Sequence, residues 1–279
     1  MIDIRTAIER AMQQLGTQHE ESRLDAELLL IHVINKNRAY LYAHPEVLLS
    51  QEQLEAYQQL VAKRAAGTPI AYLTGFRDFW SLNLKVNEHT LIPRHETELL
   101  VELILDLVPD LSNTVILDMG TGSGAIALAI AQERPHWKIT ACDFSQEALK
   151  IAEENAERHK ITNISFYHSD WFEHLPPQKY HAIVSNPPYI AEQDPHLNQG
   201  DIRFEPLSAL ASGQEGLADL QYIIQHSFEY LLPDGLLLLE HGYDQKSQLR
   251  AILDKSGYKN VRCWQDIQGQ DRVSGGKRP

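Results

Sequence analysis

The feature that most restricts the fold of this chain is the run Val115-Ile116-Leu117-Asp118 followed by Gly120, Gly122 and Gly124. A short apolar stretch ending in a carboxylate reads as a buried strand, and the apolar residues from Ala125 to Gln132 read as a helix. Glycines between the two describe a tight strand-to-helix turn, because glycine tolerates positive φ and lets a ligand approach the backbone. The chain downstream keeps the same rhythm. Strands are expected at 114–118, 137–142, 164–168, 181–185 and 236–239, and helices at 125–132, 145–159 and 217–231. Such alternation predicts an α/β fold, a mostly parallel sheet with helices on both faces. Ligands of these sheets bind beyond the carboxyl ends of the strands, near the point where the strand order reverses.

The spacing G-x-G-x-G is shorter than the G-x-G-x-x-G fingerprint of dinucleotide sites. It suits a ligand without a pyrophosphate and leaves Asp118 to face a cationic group, such as the α-amino group of a methionine moiety. Thr121 and Ser123, inside the turn, belong to the same candidate set. Asp143 ends the next strand, where a carboxylate can accept from both hydroxyls of a ribose. Asp170 and Trp171 follow the third strand, the first as an acceptor for an adenine amino group and the second as a wall beside the ring. Together these residues outline a nucleoside site.

The strand Ala182-Ile183-Val184-Ser185 ends in Asn186-Pro187-Pro188-Tyr189, which belongs at the same edge of the sheet. Two prolines fix their φ angles and contribute no N–H. What remains is a pair of acceptors, the Asn186 side-chain oxygen and the Pro187 carbonyl, able to take both hydrogens of one planar NH2 group. Tyr189 offers an aromatic face for a flat group. An amide or arylamine nitrogen is a poor nucleophile because its lone pair is delocalised. Two fixed acceptors orient it and favour the charge that builds on it, so catalysis by positioning and electrostatics is expected, with Asn186, Pro187 and Tyr189 as its residues.

The part before this sheet is of another kind. Ile4, Ala7, Ile8, Ala11, Met12 and Leu15 recur at helical spacing, as do Leu24, Leu28 and Ile31 after Ser22, a candidate N-cap. Ser50 with Gln53 forms a capping box, and the helix after it should stop at Gly67. Trp80, Leu82, Leu84 and Val86 then alternate as on a half-buried strand, within a hairpin from about Leu73 to Val86. The expected organisation is a helical recognition domain at 1–72, a hairpin linker at 73–90 and a larger domain at 91–279. Ile92-Pro93-Arg94 leads into a helix carrying Leu99, Leu100, Leu103, Ile104 and Leu107.

Composition excludes several classes. No apolar run approaches the ~20 residues that cross a membrane, and the N-terminus carries no secretory pattern, so a cytoplasmic enzyme is expected. Cys142 and Cys263 stand far apart and no His or Cys pair has ligand spacing, so no metal is expected. A net charge of −13 argues against broad nucleic-acid binding, which relies on basic groups neutralising phosphates.

Taken in order, Asp118-Met119-Gly120-Thr121-Gly122-Ser123-Gly124, Asp143 and Asn186-Pro187-Pro188-Tyr189 resemble a class I (Rossmann-like) S-adenosylmethionine-dependent methyltransferase of the amino-methylating type. More narrowly, Leu73-Thr74-Gly75, Phe79-Trp80-Ser81, Leu91-Ile92-Pro93-Arg94 and Arg203-Phe204-Glu205-Pro206 resemble the HemK/PrmC family, over nearly the whole chain. Members are protein-(glutamine-N5) methyltransferases of peptide chain release factors. The resemblance implies that Gly120 to Gly124, Asp143 and Trp171 hold the cofactor, which leaves as S-adenosylhomocysteine. It implies that Asn186 to Tyr189 hold the glutamine of a Gly-Gly-Gln motif, with Asn186 close to both ligands. His95 stands where the family commonly has proline, which loosens the start of the following helix. A monomer is expected, with the release factor as partner. A glutamine methyltransferase of a ribosomal protein shares the active-site logic. An adenine-N6 nucleic-acid methyltransferase would need a basic surface and base flipping, and a non-catalytic cofactor-binding module would not need Asn186 to Tyr189.

Overall fold

The computed structural model describes residues 2–16 and 21–279. The chain forms two compact units, Met1–Phe76 and Arg77–Pro279.

The first unit is helical, with α1 (Ile4–Leu15), α2 (Ser22–Ile34), α3 (Arg38–Ala43), α4 (Gln51–Ala65) and α5 (Ile70–Thr74). The apolar positions of α1 are buried against Ala26, Leu29, Leu30, Tyr57 and Val61, while Met12 is half-buried. Ser50 and Gln53 exchange both bonds of a capping box, and α4 ends just before Gly67, whose φ is +103°. Ser22 is not an N-cap. It is the first helical residue of α2, whose cap position, Glu21, makes no side-chain capping bond. Leu73 and Thr74 lie in a helical turn instead of a hairpin. Gly75, with φ +79°, closes that turn by donating to the Ala71 carbonyl.

The hairpin itself is short, β1 (Phe76–Phe79) and β2 (Leu82–Lys85). Trp80 occupies its bend with φ +55° instead of continuing a strand, its backbone N–H donating to Glu98 and its ring N–H to Glu133. A 3-10 turn, His95–Thr97, then runs into α6 (Glu98–Leu107), with the exposed His95 ring 3.5 Å from Glu98. The parallel part follows as β3 (Val115–Met119), α7 (Ala125–Glu133), β4 (Lys138–Asp143), α8 (Gln146–His159), β5 (Ile164–His168) and β6 (Tyr180–Ser185). It is completed by α9 (Ala218–Tyr230), β7 (Leu231–Glu240), α10 (Lys246–Lys255), β8 (Lys259–Gln265) and β9 (Asp271–Lys277).

The seven strands lie in the order β5-β4-β3-β6-β7-β9-β8, with β9 antiparallel to both neighbours. From β3 the chain builds outward through β4 and β5, then returns to add β6 on the other side. The order therefore reverses between β3 and β6, whose carboxyl ends carry Gly120 to Gly124 and Asn186 to Tyr189. Ser185 Oγ donates to the Met119 carbonyl at 2.6 Å and ties these two strand ends together. Each face of the sheet has its own apolar layer. One gathers α6, α7 and the hairpin around Trp137, and the other gathers α9 and α10 around Tyr180 and Leu237. Beyond position 239, α10, β8 and β9 complete a sheet edge for which the apolar pattern gives no signal. In β9, Gly275 lies so close to β7 that a Cβ would stand 2.1 Å from the Leu237 carbonyl oxygen.

Candidate active site

The glycine turn is held from below. Asp118, at the end of β3, is fully buried, and its Oδ2 accepts from Thr121 Oγ1 at 2.6 Å and from the Ala127 N–H at 3.2 Å. Its Oδ1 has no hydrogen-bond partner. Burial pushes this carboxyl up to about 7, against the two bonds, and the nearby Asp143 adds to the rise. Thr121 and Ser123 are buried as well, and the Ser123 carbonyl accepts from Asn155 Nδ2 at 2.9 Å. Asn155 also bonds both backbone groups of Lys85, so α8, the hairpin and the turn share one buried amide. At Gly124 a Cβ would press on Leu128 at 2.8 Å, which lets α7 begin directly beneath the turn.

Above the turn lies a cavity of about 460 Å³. Of the residues singled out in the sequence, Gly120, Gly122, Asp143, Asp170, Trp171, Asn186 and Pro188 line it. Asp118, Thr121, Ser123, Gly124, Pro187 and Tyr189 stand outside its wall. Asp118 thus supports the turn instead of opening onto the cavity, because both Thr121 and the start of α7 draw its carboxylate inward.

Asp143 is clamped between two backbone donors, with Oδ2 accepting from Gly122 N–H and Oδ1 from Ser145 N–H, each at 2.8 Å. Burial raises its pKa, while these two bonds oppose the rise. Trp171 adopts φ +45°, rare for a bulky side chain. The strain is held by Ser169 Oγ, which donates to the Trp171 carbonyl at 2.9 Å, and by Asp219, which accepts from the indole N–H at 3.2 Å. The indole lies over Gly120, where an added Cβ would sit 3.7 Å from the ring.

Several lining residues were not anticipated: the loop from Glu88 to Leu91, the exposed Phe144, the stretch around Pro206 and Ala209, and Asp219. Phe144 was within reach of sequence reasoning, since it directly follows Asp143. The two loops flank the motifs Leu91 to Arg94 and Arg203 to Pro206, and the structure shows what joins them. Buried Glu205 accepts from the Ile92 N–H at 2.9 Å through Oε2, and its Oε1 pairs with the Arg94 guanidinium. Burial raises the Glu205 carboxyl, and Arg94 pulls it back.

The Asn186 to Tyr189 segment is fixed on several sides. Asn186 Nδ2 donates to Thr97 Oγ1 at 3.1 Å. The ring of Pro187 is buried, and Pro188 faces the cavity. Tyr189 accepts from Gln245 Nε2 at its carbonyl, 3.0 Å away, and Gly216 packs against that carbonyl where any Cβ would stand 2.2 Å from it. The Tyr189 hydroxyl donates to Glu240 Oε1 at 3.2 Å, so its ring is anchored behind the wall. Burial raises the Tyr189 pKa, and the adjacent Glu240 raises it further.

Glu240 ends β7 with its side chain buried, and burial pushes its carboxyl up to about 7. The Thr97 hydroxyl is the strongest influence opposing that rise, followed by Arg272 and Tyr189. Glu240 Oε2 has no hydrogen-bond partner. No cluster of His, Cys, Asp and Glu among the described residues could hold a metal ion, and no helix among them is long and apolar enough to cross a membrane.

A doubly wound sheet with a glycine turn and an Asn-Pro-Pro-Tyr segment at its switch point defines a class I methyltransferase. Residues 95–202 match the family described as methyltransferase small domain. The fold is similar to that of a methyltransferase from Pyrococcus furiosus, with a TM-score of 0.54 and 19% identity over 79% of this chain and 97% of that one. Residues 6–75 match the PrmC N-terminal domain. The release factor glutamine methyltransferase of Coxiella burnetii is 49% identical over 278 residues, 100% of both chains. That of Escherichia coli (strain K12) is 46% identical over 270 residues, 97% of each. The chain belongs to the release factor glutamine methyltransferase family, and it is an S-adenosylmethionine-dependent enzyme.

Proposed function

We propose that this enzyme methylates the side-chain amide nitrogen, N5, of the glutamine in the Gly-Gly-Gln motif of peptide chain release factors. The observation that carries the reading is the commitment of the Asn186 NH2 group to Thr97. It leaves Asn186 Oδ1 as an acceptor at a cavity edge whose other wall is the glycine turn.

The residues present fit S-adenosylmethionine. Gly120 and Gly122 offer bare backbone to the cavity, Asp143 offers a carboxylate for a ribose, and Asp170 and Trp171 offer an acceptor and a ring for a base. Asp118, with an unpartnered buried oxygen and a raised pKa, suits a neighbourhood that receives a cation. Thr121, Ser123 and Gly124 keep the turn in shape. When bound, the cofactor supplies an electrophilic methyl group on a sulfonium.

The chain's own part is to prepare the nucleophile. Asn186 Oδ1 and the Pro187 carbonyl accept the two hydrogens of the glutamine NH2, hold its plane and stabilise the positive charge that grows on nitrogen. Pro188 shapes the wall, and Tyr189 stiffens the segment through Glu240. Most of the acceleration then comes from orientation, since the amide lone pair must be turned out of conjugation towards the methyl group. We place the enzyme in the cytoplasm, where it acts as a monomer on a protein partner and not on nucleic acid.

The test is incubation with labelled S-adenosylmethionine and, separately, release factors, ribosomal proteins and nucleic acid. One methyl on the Gly-Gly-Gln glutamine is the expected result by peptide mass mapping. Label appearing only on a ribosomal protein or on adenine refutes the reading. Asn186→Ala should abolish transfer while largely sparing cofactor binding, and wild-type turnover in that variant would count against it.

A further inference from the structure

Trp171 lines the cavity in a conformation that a bulky residue adopts only under constraint. Its φ of +45° is strained, and such strain persists where the neighbours over-determine it. Ser169 accounts for the backbone. Its Oγ accepts from the His174 N–H and donates to the Trp171 carbonyl, each at 2.9 Å. These bonds hold the peptide but not the plane of the indole, which still turns about two side-chain bonds.

The indole is pinned at opposite ends. Its six-membered ring lies over Gly120, where an added Cβ would stand 3.7 and 3.8 Å from Cζ3 and Cη2. Its N–H donates to Asp219 Oδ1 at 3.2 Å. An indole nitrogen only donates, so the direction of this bond is fixed. A ring resting on bare glycine backbone is free to slide, and the bond at its far end prevents that. Asp219 lies in the first turn of α9 and is itself anchored. Its N–H donates to Oγ of the buried Ser212 at 2.8 Å, and the Ser212 N–H donates at 2.9 Å to the carbonyl of Ile190, the residue after Tyr189. Helix N-termini favour acidic residues in general. What sets Asp219 apart is that its oxygen meets an indole at the cavity wall, 48 positions away in sequence.

We infer that Asp219 is a positioning residue for the cofactor: by accepting from the Trp171 N–H it fixes the plane of the ring beside which the adenine of S-adenosylmethionine packs. This rests on the reading of Trp171 as the wall for the base. It gives the first turn of α9 a part in cofactor binding, and it ties the cofactor wall through Ser212 to the backbone that follows the Asn-Pro-Pro-Tyr segment.

Asp219→Ala removes the acceptor and keeps the backbone bond to Ser212, while Asp219→Asn keeps an oxygen in its place. Trp171→Phe keeps a ring and loses the N–H. Calorimetry gives Kd for S-adenosylmethionine and S-adenosylhomocysteine in each variant and in the double variant Asp219→Ala with Trp171→Phe. Asp219→Ala should weaken both ligands by about tenfold, the equivalent of one lost hydrogen bond, and Asp219→Asn should regain most of that. In the Trp171→Phe background, Asp219→Ala should change Kd by less than about twofold, because the bond it removes is already gone. In the ligand-free protein, the indole N–H resonance that disappears in Trp171→Phe should exchange with solvent about tenfold faster in Asp219→Ala. The same loss in both backgrounds overturns the inference, since Asp219 then acts by touching the cofactor or through the fold. A loss confined to the sulfonium ligand overturns it too, as that is attraction of a charge. So does unchanged indole exchange, or an Asp219→Asn variant no better than Asp219→Ala. Trp171→Leu tests the underlying reading: unchanged Kd there refutes Trp171 as the cofactor wall and takes the inference with it, whereas weakened binding leaves the wall standing and the cycle to decide on Asp219. No protein substrate enters these measurements, so they are independent of which glutamine is methylated.

Discussion

Replacing Asp118 by asparagine isolates the charge buried under the glycine turn. Burial raises this carboxyl from 3.8 to about 7, despite the bonds from Thr121 and Ala127. Between those two values the folded protein keeps a proton that the unfolded chain has released. The group therefore favours the fold most below its unfolded pKa and loses that contribution as pH climbs to 7, the reverse of a salt-bridged aspartate. At about 1.4 kcal/mol per pH unit the whole loss is about 4 kcal/mol, and about 3 kcal/mol of it falls between about pH 5 and pH 8. Asparagine does not titrate. Its oxygen can take over both bonds of Asp118 Oδ2, while its NH2 falls where Oδ1 has no partner, a penalty of about 1–3 kcal/mol at every pH. Relative to wild type, Asp118→Asn should thus gain about 3 kcal/mol from about pH 5 to pH 8 and be the more stable protein at the upper end. Urea unfolding of the ligand-free proteins across that range measures the difference. A gap that stays constant to within about 1 kcal/mol refutes the proton-holding carboxyl.

Asp143→Ala should weaken S-adenosylmethionine binding by about 1–3 kcal/mol in calorimetry, the loss of charge-assisted hydrogen bonds to a ribose, and unchanged affinity would remove the ribose assignment. Gly216→Ala puts a Cβ 2.2 Å from the Tyr189 carbonyl oxygen at a φ of +68°. It should cost at least about 1–3 kcal/mol in thermal or urea unfolding and reduce turnover along with it, because the displaced backbone carries Asn186 and Pro187. Arg94→Ala leaves Glu205 buried without its cation; because Arg94 is 32% exposed, about 3 kcal/mol of stability is expected to go, the lower end for a buried pair. A loss under about 1 kcal/mol in unfolding would mean that solvent already carries the pair.

The parts of the site legible in the sequence are those whose meaning is local. Gly120, Gly122 and Gly124 have positive φ because a strand must turn into a helix within a few residues, and the short spacing states that directly. Asp143 and Asn186 end their strands, so period and position suffice to bring them to one edge. Asp118 shows the limit of such reasoning. Its place at the end of β3 was readable, but the direction of its carboxylate depends on Thr121 and on the first turn of α7. The edge strands were not readable for a related reason. In β8 the alternation is broken by exposed polar residues, and in β9 Ser274-Gly275-Gly276 has the composition of a turn although it pairs with β7. Glycine is needed there for the close approach to Leu237, a requirement set by the neighbouring strand.

The residues that set the geometry of Asn186 to Tyr189 are also the ones furthest from it in sequence. Thr97 lies 89 positions from Asn186, and Glu240 lies 51 from Tyr189. The bond from Ile92 to Glu205 spans 113. No periodicity links such pairs, because none of them shares a helix face or a strand. What links them is the strand order. By returning to place β6 beside β3 and then β7 beside β6, the chain brings the end of β7 next to the end of β6, and the 3-10 turn before α6 meets the residue that follows β6. A motif of four residues can thus announce the chemistry, since two acceptors and a ring are a local statement. Which edge of the Asn186 amide is left for the cavity is a property of the folded sheet, since its NH2 group is engaged by Thr97, a residue that the motif does not contain.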